Sequence, residues 1–434
     1  MIRDLRSTVL RSTHAQFVEP RYDGYCFANL PNTILELLGV PRIREGLDGS
    51  VTRPLRDRPL DHVLLFLIDG LGFDTWLAQA SKLPFFKRLG ERGTVTSLTA
   101  VFPSTTSASL TALATGLPPS EHGLPEWMVY LEEIDDVIAT LPFKRWNGKA
   151  RDDLLASGVD PSILFDGGTI FERLTEAGVL SVCFSQRDYA QSAYSKVSKR
   201  GSRTVSFLGL SDLMVRLADE LEKAAHPTFF YVYWDHFDRI EHAFSPGSRE
   251  ALAELLSISH AFTDVLNASL RERSREVAGQ TLLLVTADHG QTPVAPDRTI
   301  YLTDRPEIRE ALKAKRSGEP IPPTGSIRDV LLHLQPNRVQ AVEQYLTEWL
   351  AGRAEVVRTE DAFARGLFGP GPPVARLRRR VGQLLVLPYT GETVWGYYPG
   401  QARPHSMRGH HGGLTPEEMF IPFASCRLSE LLAE

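Results

Sequence analysis

Three aspartates and three histidines stand where apolar stretches of the chain stop: Asp69, Asp238, Asp288, His242, His289 and His411. Carboxylate oxygens and imidazole nitrogens ligate divalent cations of the zinc or manganese kind, and six such groups are enough for two sites. Asp238 and His242 are four residues apart, a spacing that puts both on one face of a helical turn and lets them share an ion. Asp288 and His289 are adjacent, so a sharp turn must aim both inward. Residues of the same types lie close by in sequence, namely Asp74, Asp235, His236, His405 and His410, and they leave the choice within each cluster open. Taken singly, each candidate also has an ordinary reading: a helix cap for an aspartate, a packed or surface residue for a histidine.

The hydroxyl run Ser104-Thr105-Thr106-Ser107, behind Phe102-Pro103, supplies what two cations require. It offers a nucleophile that coordination can ionise, followed by a helix whose free N–H groups attract phosphate. The helix is expected over 107–115, with Leu110, Leu113 and Ala114 on its apolar side and Gly116, Pro118 and Pro119 ending it. The same hydroxyls would serve to cap that helix. On this segment alone, cap and nucleophile are evenly matched, and Thr105 and Thr106 both remain open.

The elements that must position these groups are short apolar runs. Residues 63–68 lead into Asp69-Gly70, 95–102 into Pro103-Ser104-Thr105-Thr106, 229–234 into Asp235 and Asp238, and 282–286 into Asp288-His289-Gly290. Short, β-branched and abruptly ended, they read as buried parallel strands. A fifth run, 179–184, carries no such signature and reads as scaffold. Helical patterns over 211–224 and 250–273 alternate with them, as around a parallel sheet covered on both faces. The expected fold is therefore α/β, a three-layer α/β/α sandwich with a mostly parallel central sheet, and ligands bind such sheets beyond the carboxyl ends of the strands.

After Gln291 the pattern changes: a helix over 304–315, a Pro/Gly loop over 318–325, a strand over 327–334, a helix over 338–350 and a strand over 354–357. A Gly/Pro stretch, 366–373, the basic run Arg376-Leu377-Arg378-Arg379-Arg380 and a β-like stretch over 383–398 follow. The expected organisation is an N-terminal segment, 1–54, packed on a core made of 55–299 and 396–434, with 300–395 as an inserted α+β lobe.

With 434 residues, 42% hydrophobic and 23% charged, the chain can bury a large core, and a net charge of −5 gives no signal for binding nucleic acid. A phosphate substrate must then be drawn by local positive charge. Three cysteines are too few and too scattered for a disulfide framework or a zinc ribbon, and no run of 18 apolar residues or secretory leader is visible. A cytoplasmic, soluble protein without a membrane segment is the expectation.

The motifs resemble the alkaline phosphatase superfamily, and within it the type I phosphodiesterase and nucleotide pyrophosphatase branch. The likeness rests on Leu67-Ile68-Asp69-Gly70, on Phe102-Pro103-Ser104-Thr105-Thr106 continuing to Ala114-Thr115-Gly116-Leu117 and Glu121-His122-Gly123, on Asp238 to His242 with Pro246-Gly247, on Thr286-Ala287-Asp288-His289-Gly290, and on His411-Gly412-Gly413 with Glu418-Met419 and Pro422. The resemblance covers the core and not the insert. It implies Thr106, three residues after the proline, as the nucleophile. It implies Asp69, Thr106, Asp288 and His289 around one cation, and Asp238, His242 and His411 around the other, with zinc as the first expectation and manganese as the second. His411 rather than His410 fits because Gly-Gly follows it. His122 matches too, but its turn after the helix points to structure. The sequence departs from the branch at Ser109, which stands where an asparagine helps hold a phosphate oxygen and which is, by that position, the expected substrate-binding residue.

Phosphodiester or pyrophosphate hydrolysis of a small phosphate ester or nucleotide, through a phosphothreonine, is what these readings imply. Phosphomonoester or phosphonate hydrolysis on the same site, a phosphosugar mutase and a non-catalytic binding protein are the alternatives. A monoesterase adds positive charge for the extra anionic oxygen, and Lys196, Lys199, Arg200, Arg203, Arg328 and the 376–380 arginines are its candidates beside their ordinary role as solvated charge. Trp127, Trp234, Trp395 and Tyr397 are candidates for stacking on a base.

Overall fold

The computed structural model describes residues 2–9, 16–56, 60–396 and 405–432. The apolar runs do form one sheet. From edge to edge its strands are Ile2–Arg3, Thr94–Thr99, Phe420–Arg427, Thr281–Thr286, His62–Ile68, Thr228–Trp234, Leu180–Gln186 and Arg203–Phe207. All neighbours are parallel except Phe420–Arg427, which runs antiparallel to both of its partners. Every residue of the three strands His62–Ile68, Thr228–Trp234 and Thr281–Thr286 is buried, as strands covered on both faces must be.

Register decides which side chain faces which layer. Leu65 lies opposite Tyr231 and Phe66 opposite Val232, so Phe66 and Tyr231 point to opposite faces. Phe66 meets Phe262 edge-on at 4.8 Å, and Phe262 stacks on Phe85 at 4.5 Å, which places helices Pro84–Arg92 and Arg249–His260 on that side. Phe171 of helix Ile170–Glu176 stacks against Phe229 and Tyr231 on the other side, beside Thr106–Thr115. The result is the expected three-layer sandwich.

The antiparallel strand is what completes the functional edge. Because it runs against its neighbours, with Phe420 opposite Thr99, it begins where they end. Residues leading into it, 411–419, therefore lie at the same edge as residues leaving the parallel strands.

A second, antiparallel sheet has the order Ala354–Arg358, Leu384–Pro388, Asp329–Leu332, Thr324–Ser326, Met128–Leu131, Asp136–Ala139, Lys144–Arg145. Three of its strands come from 128–145, so the sheet crosses the boundary expected at residue 300. Residues of the 359–381 stretch return to the main core, where Phe368 packs on Phe102 at 5.1 Å. The 128–145 hairpins are short and carry little periodicity, and no element was expected there. At the N-terminus, Ile2–Arg3 adds an edge strand against Val95 and Thr96, and the Val18 N–H reaches the Leu414 carbonyl.

Two helices differ from expectation. Over 304–315 only Pro306–Arg309 is helical, because the N–H groups of Lys313 and Lys315 bond to His333 and Glu319 carbonyls instead of to a helix. The 250–273 pattern is Arg249–His260, then a wide turn over Ala261–Leu266, and it ends at Leu270, whose backbone is extended. Among the described residues no helix is long and apolar enough to cross a membrane. Tyr397 lies outside the described residues.

Candidate metal and phosphate site

Asp69 is the first residue past strand His62–Ile68, and Gly70 follows with φ +79°. A side chain there would sit 3.0 Å from the Asp238 Cβ, so only glycine lets the two aspartates approach. Asp238 and His242 lie on helix His236–Phe244, whose turn brings His242 Nε2 to 3.3 Å from Asp238 Oδ2, as the spacing implied. Asp288 and His289 leave strand Thr281–Thr286, and the Asp288 Oδ1 accepts from the N–H groups of Gly70 and His289 at 3.2 and 3.1 Å. His411 comes in from the antiparallel strand's side. Its ring stacks on His289 at 3.6 Å, and its Nε2 is 3.6 Å from Asp238 Oδ1.

The backbone sets the tautomer of all three imidazoles. Nδ1 of His242, His289 and His411 lies 2.8, 3.2 and 2.9 Å from the carbonyl oxygens of Gly409, Gly290 and Ser104. A carbonyl only accepts, so each Nδ1 carries the proton and each Nε2 lone pair is free to face a cation.

The two threonines divide the labour left open by the sequence. Thr105 is the N-cap of helix Thr106–Thr115, its Oγ1 accepting from the Ala108 N–H. Thr106 Oγ1 lies 3.1 Å from His289 Nε2, inside the cluster. Ser109 is fully buried and its hydroxyl donates to the Asp288 carbonyl at 3.0 Å, so it braces a strand end with the group expected to hold phosphate. His122 is buried, its Nδ1 accepting from the Leu124 N–H, a turn-stabilising role.

The neighbouring alternatives are occupied elsewhere. Asp74 pairs with Arg6, His236 stacks on Trp234 at 4.5 Å and contacts Asp235, and His405 bonds Thr299. His410 lies beside the site, 5.0 Å ring to ring from His242, with Nδ1 engaged by the His411 backbone.

Charge is what the cluster lacks. Burial, and after it the charges of Asp288 and Asp238, pushes Asp69 well above the usual carboxylate range. Burial and Asp238 raise Asp288 to about 7. Burial lowers His289 to about 4 and His411 to about 3, leaving both neutral. Burial opposes the charged forms of Asp238 and His242 too, but their mutual attraction outweighs it, holding the Asp238 carboxyl low and the His242 ring high. Three buried carboxyl groups thus share one small volume, and Asp69 Oδ1 and Asp288 Oδ2 are buried there with no hydrogen-bond partner. Divalent cations fit this donor set. Two groupings have their ligand atoms within 4.8 Å of one another, Asp238 with His242 and His411, and Asp69 with Asp238 and His289. Asp238 belongs to both, where the resemblance put it in one.

Two contacts went unforeseen. The Tyr233 hydroxyl donates to Asp69 Oδ2, and the Gln291 side-chain amide donates to the Asp238 carboxylate and to its carbonyl at 3.0 Å. Each lies within a few residues of a ligand cluster, a proximity that was available in the sequence, but neither side chain's direction was.

The family described as type I phosphodiesterase / nucleotide pyrophosphatase matches residues 63–414. Among curated proteins, venom phosphodiesterase CdcPDE of Crotalus durissus collilineatus is 24% identical over 246 residues, 56% of this chain and 28% of that protein. Ectonucleotide pyrophosphatase/phosphodiesterase family member 3 of Mus musculus is 25% identical over 251 residues, 56% of this chain and 26% of that protein. The matched stretch thus spans about a quarter of these relatives' length. In structure, murine ectonucleotide pyrophosphatase / phosphodiesterase 5 superposes with a TM-score of 0.61 at 17% identity, covering 83% of this chain and 87% of that one. An inactive threonine-to-alanine variant of the same murine protein, in complex with AMP, gives 0.62 at 16% identity, covering 85% and 88%.

Proposed function

Since the chain belongs to the type I phosphodiesterase / nucleotide pyrophosphatase family of the alkaline phosphatase superfamily, we propose that it hydrolyses phosphodiester or pyrophosphate bonds with Thr106 as nucleophile. The observation that carries this reading is the position of the Thr106 hydroxyl, 3.1 Å from His289 Nε2, which also lies 3.4 Å from Asp69 Oδ1 and from Asp288 Oδ2, two buried carboxylate oxygens with no hydrogen-bond partner. When bound, two divalent cations, zinc or else manganese, would neutralise phosphate charge and lower the pKa of a coordinated hydroxyl or water.

The rest is the work of the chain. Thr106 Oγ1 forms a bond to phosphorus as the bond to the leaving oxygen breaks on the opposite side, giving a phosphothreonine. The amino-terminal end of helix Thr106–Thr115 faces the anionic oxygens with its dipole and free amides. Water then attacks from the side the leaving group vacated, Thr106 departs, and two in-line displacements give net retention at phosphorus.

The diester preference rests on where the positive side chains go. Arg328 pairs with Glu418, Arg380 donates to the carbonyls of Gly123, Leu164 and Ile163, and Lys199 donates to Ser185. Arg200, Arg203, Arg376, Arg378 and Arg379 pair with Glu172, Glu220, Asp166, Glu360 and Glu132. The cations expected of a monoesterase, Lys196 apart, are thus engaged with these partners. The murine neighbour solved with AMP makes a nucleoside monophosphate the first ligand to try. Three buried thiols, all unbridged, support a reducing, cytoplasmic setting.

The test is a side-by-side assay of an aryl phosphodiester, an aryl phosphomonoester and a nucleoside triphosphate with added zinc or manganese. The diester or triphosphate should lead. A tenfold monoester preference, about 1.4 kcal/mol at the transition state, would reverse the assignment.

A further inference from the structure

Thr106 and His411 reach the site from one antiparallel pair of strands. Thr106 lies beyond strand Thr94–Thr99 and His411 before strand Phe420–Arg427, and the ladder between those strands runs out with the Ala100 N–H on the Met419 carbonyl at 2.7 Å. Past that bond the ladder no longer holds the two segments together. Both nevertheless arrive at His289: Thr106 Oγ1 is 3.1 Å from its Nε2, and the His411 ring stacks on it at 3.6 Å.

Ser104 is where the segments are tied again. It is fully buried, and it takes no part in the helix cap, which Thr105 supplies. Its carbonyl accepts from His411 Nδ1 at 2.9 Å, and its N–H donates to the Gly412 carbonyl at 3.3 Å. Its hydroxyl accepts from the Gly412 N–H at 3.1 Å and donates its single proton to the Gly413 carbonyl at 2.8 Å. Backbone and side chain of this serine are thus spent on 411–413, with a donor matched to an acceptor in each contact.

Neither side of the contact has room to slide. The Thr105 N–H donates back to the Pro103 carbonyl at 2.9 Å, a tight turn with Ser104 at its apex. On the other side, a side chain at Gly412 would meet Ser326 Oγ at 2.6 Å and Asp329 Oδ1 at 2.7 Å, and one at Gly413 would meet Glu418 Oε2 at 2.8 Å. The Gly413 N–H itself donates to Glu418 Oε1 at 3.1 Å. The Gly-Gly backbone therefore lies between the buried Arg328–Glu418 pair and Ser104.

We propose that Ser104 is a positioning residue: its hydroxyl, closed on the Gly412 N–H and the Gly413 carbonyl, keeps its own carbonyl on His411 Nδ1, so that the nucleophile loop and His411 Nε2 are set as one unit. Alanine at 104 keeps the two backbone bonds but leaves the Gly412 N–H and the Gly413 carbonyl buried without that partner, which frees the 411–413 strip, and the His411 ring with it, to move off the loop. The effect on metal rests on the proposed function, which makes His411 a ligand; the effect on the hydrogen bond does not.

Imidazole N–H groups of the metal-free protein, followed by 1H–15N NMR, give a readout that needs neither metal nor substrate. In Ser104→Ala the His411 Nδ1–H should exchange with solvent at least about tenfold faster, the scale of one lost hydrogen bond. The His242 Nδ1–H, held by the Gly409 carbonyl, should be unchanged. Ser104→Cys fills the space with a weaker donor and should fall between wild type and alanine. Thr281→Ala removes a buried hydroxyl bond to the Val277 carbonyl at the opposite end of the sheet and should alter neither ring. Unchanged exchange at His411, or equal acceleration at both histidines, would overturn the proposal, because the serine would then be ordinary packing.

With zinc added, chelator competition should find one of two bound ions about tenfold weaker in Ser104→Ala and the other within about twofold. His411→Ala separates the two ways of failing. If it weakens zinc and Ser104→Ala does not, the positioning role is overturned. If neither variant weakens zinc, the ligand assignment in the proposed function falls, and exchange at His411 still decides whether Ser104 holds the ring.

Discussion

Two fully buried charged clusters lie near the same edge of the main sheet, and they are built on opposite rules. Around Arg328 and Glu418, both with wholly buried side chains, every valence is closed: Glu418 accepts from Arg328, Gly413, Thr415 N–H and the Thr415 hydroxyl, and Arg328 gives what remains to two carbonyls. Around Asp69 and Asp288, carboxylate oxygens are left open and positive charge falls short. A closed cluster is a strut, since its charges satisfy each other. An open one is a receptor, because something from outside must complete it.

The sharpest break between the two is kinetic. Thr106→Ala should cut turnover of an aryl phosphodiester by at least on the order of 10⁴-fold, about 5.5 kcal/mol, with folding intact by circular dichroism. Arg328→Ala should do the reverse: it leaves Glu418 buried and alone, and should lower unfolding free energy by about 3–5 kcal/mol in urea titrations, with the metal content of the folded fraction unchanged. Equal loss of activity per folded molecule in both variants would erase the distinction.

Acid and base should separate the clusters next. Glu418 is held below its ordinary range by Arg328 against the opposing effect of burial, so its contribution is present above about pH 4.5 and is lost as pH falls through its depressed value. Asp288 in the metal-free protein is raised from 3.8 to about 7, so its contribution is full below pH 3.8 and is lost as pH rises through 7. Chelator-treated protein should therefore lose stability between about pH 4 and 7, and zinc should flatten that slope. A slope that zinc leaves unchanged would show that the open cluster is not where the ion binds.

Smaller effects sharpen the picture within the open cluster. Tyr233→Phe removes the donor to Asp69 Oδ2 and should weaken zinc binding about 10–100-fold by chelator competition, about 1.4–2.7 kcal/mol. Thr105→Ala should cost about 1 kcal/mol of stability as a lost helix cap and leave most of the activity, which is the cleanest contrast with its neighbour.

Much of the core could be read from residue order. Short apolar runs ending in Asp69, Thr106, Asp238 and Asp288 became strands or strand exits at one edge, because a buried parallel strand has few alternatives and its polar exit has nowhere else to go. The Asp238 and His242 spacing held because helical geometry is local. Reading failed where contacts are distant and short. The 128–145 hairpins pair with Thr324–Ser326 across nearly two hundred residues, and the 304–315 helix gave way to backbone bonds with 319 and 333.

What the sequence determined by itself is therefore the set of chemical groups and the elements that carry them, since residue type and periodicity act over a few positions. Only the tertiary structure decided how they are used. It made Thr105 a cap and faced Thr106 to His289, gave His411 rather than His410 a free Nε2 toward Asp238, and spent Arg328 and Arg380 on internal partners. Those choices depend on which backbone carbonyl or carboxylate lies three ångströms away, and that neighbour is brought there by sheet register and one antiparallel strand.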